Sequence, residues 1–212
     1  MLHKSNTRPR RGQGAATRTR RAYFDVRFGQ LHVRTAFPAT GGFDEQTPLL
    51  CLHPADGTGR LFERFIAAMA ERRSVYAPDL PGCGESDPPP ADAGLGAGAA
   101  AIEDFAADLR LRRVDLLGVG DGSQIALDVA ASAPALVRRI VLIGASALNR
   151  LTSRSPECLL VMTGEPSAQL RQRAQALRSN LEVLEVPECA DDAGALAADA
   201  LAERLTAFLD RR

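Results

Sequence analysis

Five short, almost unbroken apolar runs set the frame of this sequence: PLLCLH (48–53), SVYAP (74–78), VDLLGV (114–119), RIVLIG (139–144) and ECLLVM (157–162). Each is too short for a buried helix and has the length and texture of a strand covered on both faces. LEVLEV (181–186) supplies one more strand. The segments between them change period. GRLFERFIAAMAERR (59–73), AIEDFAADLR (101–110), SQIALDVAAS (123–132), SAQLRQRAQALR (167–178) and AGALAADALAERLTAFLD (193–210) carry helical spacing. Strands alternating with helices demand an α/β architecture: a mostly parallel central sheet with helices on both faces. Upstream, AYFDVRF and LHVRTAF alternate polar and apolar residues around Gly29-Gln30, which predicts an N-terminal antiparallel hairpin. PATGGFDEQ (38–46) and LPGCGESDPPP (80–90) are expected loops, and ADAGLGAGAA (91–100) a low-complexity, mobile stretch.

The chain, 212 residues with 45% hydrophobic and 25% charged, has enough apolar content for one sizeable core. No second domain or internal repeat is visible, so residues 22–212 are expected to form a single domain. No run of 18 apolar residues exists to span a membrane, and the N-terminus lacks the apolar stretch of a secretion signal. Cys51, Cys83, Cys158 and Cys189 are widely spaced. That spacing predicts no zinc site and fits reduced thiols in a cytoplasm. The net charge of zero conceals an asymmetry. Residues 1–21 contain Lys4, Arg8, Arg10, Arg11, Arg18, Arg20 and Arg21 and no acid, so the remaining chain has 19 basic against 26 acidic residues. This segment reads as a basic disordered tail. It is the only part suited to nucleic acid or an anionic surface; elsewhere nucleic-acid binding is not expected.

The chemistry concentrates in VDLLGVGDGSQIALDVA (114–130), an apolar run that stops at a glycine-rich turn and restarts as a helix. With PLLCLHPADGTGRLFERF and APDLPGCGESDPPP it resembles the α/β-hydrolase superfamily from about residue 22 to 212. The resemblance implies an oxyanion loop after the 48–53 strand and a nucleophile elbow, G-x-S-x-G, after the 114–119 strand. In the register of Gly118 and Gly122, the nucleophile position is Gly120, which has no atom with which to attack. The orienting acid of the family falls on Ser167, with Glu165 nearby, and its base on Asp191, in a stretch without histidine. No histidine follows His53. The triad positions therefore read Gly120, Ser167 and Asp191, and none carries the expected group. Asp121, Ser123 and His53 remain as fallback catalysts. Asp121 and Ser123 have a plainer role as caps of a helix N-terminus, and His53 as a loop residue. Only SALNRLTSRSPE joins the 139–144 and 157–162 strands, so no cap domain is expected there.

Two functions follow. The first is an α/β-hydrolase-like protein that has lost serine-hydrolase catalysis. It would bind a small molecule or protein partner, with a homodimer as one form, through His53, Ala55, Asp56, Gly120, Asp121 and Ser146. The second is a non-canonical hydrolase, lyase or cyclase using Asp121 or His53. Neither calls for a metal or cofactor.

Overall fold

The computed structural model describes residues 19–39, 46–94, 96–144, 148–177, 179–187, 189, 194, 196 and 199–211. Eight strands form one sheet in the order β1-β2-β4-β3-β5-β6-β7-β8. They are β1 (Arg20–Val26), β2 (Gly29–Ala36), β3 (Leu49–Leu52), β4 (Val75–Pro78), β5 (Val114–Val119), β6 (Val137–Ile143), β7 (Glu157–Thr163) and β8 (Leu181–Val186). β1 and β2 pair antiparallel, β2 pairs antiparallel with β4, and every later pair is parallel. The helices are α1 (Glu63–Met69), preceded by a 3-10 turn at Gly59–Phe62, α2 (Ala97–Asp108), α3 (Gly122–Ser132), α4 (Ala168–Ala176) and α5 (Asp199–Leu209).

Strand periodicity divides the core. Leu50, Leu52, Leu116, Ile140 and Leu142 face the layer that includes α2 and α3. Leu49, Cys51, Leu117, Val141 and Ile143 face the layer of α1 and α5. Both sets are buried, which is why β3, β5 and β6 read as continuous apolar runs. Phe105 of α2 locks its layer by meeting Phe24 and Tyr76 edge-on, at centroid distances of 4.9 and 5.4 Å.

Two local expectations need correction. The low-complexity stretch does not stay irregular: Ala97 to Ala100 form the first turn of α2, with Ala97 and Ala99 buried. Alanine is the strongest helix former, and a packed face was available to it. The basic tail also ends sooner than expected, because Arg20 and Arg21 already pair with Thr35 and Arg34 in β1. Residues 1–18 of that tail lie outside the described residues, as do Ser146 and Asp191.

The topology fixes where a site can form. From β3 the chain moves outward to β4 and then returns across β3 to β5. The connections leaving β3 and β5 therefore diverge, and the crevice between them opens at the carboxyl ends of these two strands. β6 and β7 are joined by residues 144–156, which include a short 3-10 turn at Leu148–Arg150.

Candidate functional site

The turn after β5 is a sharp corner whose geometry is dictated residue by residue. Gly120 has φ +53°, in the left-handed region where a Cβ is strained. Its neighbours two residues away are constrained by space instead. A Cβ on Gly118 would sit 2.5 Å from the Ser123 backbone nitrogen, and one on Gly122 would sit 2.2 Å from the Leu52 carbonyl oxygen. The small residues of the turn are thus demanded by α3 starting hard against the ends of β5 and β3. At the corner itself, a Cβ on Gly120 would meet, among the described residues, Pro54 Cβ at 3.3 Å. A side chain placed there would point at the loop after β3.

That loop is held by His53. The ring is fully buried; Nδ1 lies 2.7 Å from the Pro54 carbonyl oxygen and Nε2 lies 2.8 Å from the Leu80 amide nitrogen. Nε2 must accept from Leu80 N–H, so Nδ1 carries the proton and donates to Pro54. Burial depresses the pKa of His53, with the Pro54 carbonyl and the distant carboxylates opposing. Both ring nitrogens are engaged, so His53 is a neutral strut between two loops and has none left to take a proton from a nucleophile. Pro54 O also accepts from Gly57 N–H, closing a tight turn that displays Ala55 and Asp56 to solvent.

Asp121 is exposed, in ordinary helical conformation at φ −66°, and makes no capping hydrogen bond. Ser123 is buried, and its hydroxyl donates to the Gly118 carbonyl at 2.8 Å. Neither residue caps α3 through its side chain, contrary to the sequence expectation. The corner turns so tightly that Ser123 faces back to the strand end, while Asp121 faces out. Ser167 is exposed and is itself a cap: it starts α4 and its hydroxyl accepts from Leu170 N–H at 3.3 Å.

Sequence reasoning missed Asp79. This buried carboxylate at the end of β4 accepts from Gly59 N–H (2.7 Å), Glu85 N–H (3.0 Å) and His32 Nδ1 (2.9 Å). Burial works against its charge, but the Glu85 and Gly59 amides and His32 prevail and hold its pKa below the usual carboxylate range. Ser86 completes the knot by donating to Asp79 O and accepting from His32 N–H. The signal was present in APDLPGCGES, an acid directly after a buried strand and before a glycine-rich loop. Cys83 of that loop approaches Ala55 O at 3.8 Å, bringing the loops after β3 and β4 together beside the corner. Among the described residues, no group of three or more His, Cys, Asp or Glu gathers as a metal site.

The family model described as the alpha/beta hydrolase family matches residues 49–211. The chain belongs to the alpha/beta hydrolase family. Solved hydrolase structures share its fold at low identity. The carboxylesterase CesB of Bacillus subtilis aligns over 91% of this chain and 92% of its own, at 17% identity and a TM-score of 0.71. An alpha/beta hydrolase of Novosphingobium aromaticivorans aligns over 93% and 99%, at 16% and 0.72. A thermophilic esterase of Thermogutta terrifontis aligns over 90% and 98%, at 12% and 0.73. In sequence, uncharacterised proteins of Mycobacterium tuberculosis and Mycobacterium bovis are 30% identical over 148 residues, or 69% of this chain. The chain spans about two fifths of the length of these relatives. Within this fold, Gly120 lies on the corner between β5 and α3.

Proposed function

We propose that this alpha/beta hydrolase has lost serine-hydrolase catalysis and binds a small molecule or a protein partner at the carboxyl ends of β3 and β5. The observation that carries this reading is Gly120 at the left-handed corner. A glycine there relieves a conformation that costs a residue with Cβ about 1–3 kcal/mol, and it removes the attacking atom. Ser123 cannot substitute, because its hydroxyl is buried against Gly118 O. His53 cannot act as base, because both ring nitrogens are committed. Losing such a nucleophile or base costs roughly 10⁶ in kcat. From a typical turnover of about 10 s⁻¹, that leaves on the order of 10⁻⁵ s⁻¹.

The binding half of the proposal rests on what persists. His53 and Asp79 still brace the loops around the crevice. The backbone N–H groups of Ala55 and Asp121, on either side of the corner, donate to no described residue. Two such donors suit a carbonyl or anionic oxygen, with the exposed Asp121 carboxylate selecting against strongly negative ligands. The short β6–β7 connection supports an uncapped crevice, open to a partner or a second copy. The four cysteines are free thiols, which supports a reducing, cytoplasmic setting.

Hydrolysis of p-nitrophenyl esters by the wild type and by Gly120→Ser tests the proposal. Both proteins are expected to stay at background. Turnover of several per second by the wild type would overturn the lost catalysis. The same turnover by Gly120→Ser alone would reveal a base in reach of the corner.

A further inference from the structure

Away from the carboxyl ends of β3 and β5, on the face of the β1–β2 hairpin next to the 3-10 turn, lies a cavity of about 390 Å³. It is lined by Thr19, Arg21, Arg34, Arg60 and Glu63. The three arginines come from three elements, β1, β2 and the turn before α1. Arg21 and Arg34 are direct cross-strand partners, an arrangement in which like charges repel. Arg34 is half-buried, and its Nε is buried with no hydrogen-bond partner. Buried donors are almost always satisfied, and an unsatisfied charged one is costly. Arg21 has one remote carboxylate, Glu85 at 3.7 Å, and among the described residues neither Arg34 nor Arg60 has one within ion-pair distance. Three guanidinium groups therefore line one cavity, with Glu63 the one acid among its described lining residues and Glu85 reaching Arg21 from one side.

We propose that this cavity binds a phosphate group through Arg21, Arg34 and Arg60. A phosphate with several terminal oxygens accepts more than one planar guanidinium fork at once, whereas a carboxylate offers two oxygens. Bound there, it would satisfy Arg34 Nε and cancel the repulsion between Arg21 and Arg34. A terminal phosphate of a free phosphorylated small molecule offers three such oxygens and a nucleic-acid backbone phosphodiester two, so the oxygen count favours the former, while the basic residues before β1 make the latter worth separating.

The test is calorimetric titration of the full chain at low ionic strength with inorganic pyrophosphate and, separately, with a short unphosphorylated single-stranded DNA. Arg34→Gln and Arg60→Gln are each expected to weaken binding about tenfold, the order of one charge-assisted hydrogen bond. Glu63→Gln should tighten it, because an opposing carboxylate is gone. Arg64→Gln, exposed on α1 and outside the cavity, should leave it unchanged, as should joint neutralisation of Arg8, Arg10 and Arg11. Arg60 is also exposed, so its variant keeps the test valid if Arg34→Gln fails to fold. Tighter pyrophosphate binding points to a free phosphorylated molecule, and tighter DNA binding to nucleic acid. No binding of either probe at millimolar concentration would overturn the site. So would binding weakened equally by Arg64→Gln, or abolished by the Arg8, Arg10 and Arg11 changes.

Discussion

At position 120 the backbone turns through a conformation that glycine adopts without strain. Gly120→Ala should therefore cost about 1–3 kcal/mol of stability, read as a shift in the urea unfolding midpoint. Gly122→Ala should cost more than that. Its Cβ would collide with the Leu52 carbonyl, so backbone has to move. If the two substitutions cost the same, space is not what selects the outer glycines. His53 gives a pH signature. Its pKa is depressed in the folded protein, so on acidification the unfolded chain takes up the proton first. The associated stability is complete above the ordinary histidine value of about 6.5 and is lost as the pH falls from there towards the folded pKa. Replacement by Gln, which can still donate to Pro54 and accept from Leu80, should flatten that part of the urea-midpoint profile. An unchanged slope would show that His53 does not titrate with unfolding.

Among the elements, the end of α5 carries the clearest energetic prediction. Asp115 on β5 and Arg73, both buried, form an ion pair at 3.2 Å, and Arg138 grips the same carboxylate at 2.6 and 2.9 Å. Arg73 also pairs with Asp210, just past α5, while Arg139 donates to the Leu209 and Arg211 carbonyls. These cations sit at the negative end of α5 and fasten it under the sheet, opposite the crevice. Asp115→Asn leaves Arg73 buried with its charge poorly matched, a loss of about 3–5 kcal/mol. Equilibrium unfolding checks it, and a loss under 1 kcal/mol would mean water or rearrangement replaces the pair. None of this was legible in the sequence. One-dimensional spacing does not show that Arg73 and the starts of β5 and β6 lie beside the end of the last helix. Strand placement was legible for the opposite reason: double-sided burial leaves a continuous apolar run whatever lies around it.

Over the whole molecule, the sheet and its alternation with helices followed from the spacing of apolar runs, and the crevice followed from strand order. The corner was legible because its glycines stand together in one short stretch, Gly118, Gly120 and Gly122, although the Leu52 carbonyl that requires Gly122 comes from another strand. The bracing around it was less so. Asp79 joins β2, β4 and two loops, so its role exists only once residues far apart in sequence meet. Asp121 and Ser123 were given capping roles from position alone; the tightness of the turn decides otherwise. In the proposed reading, the scaffold keeps its loops around a corner where Gly120 replaces an attacking group. Intact-mass measurement of the wild-type protein after exposure to a fluorophosphonate probes this most directly. The account predicts an unmodified mass; a stoichiometric adduct on a serine would contradict it.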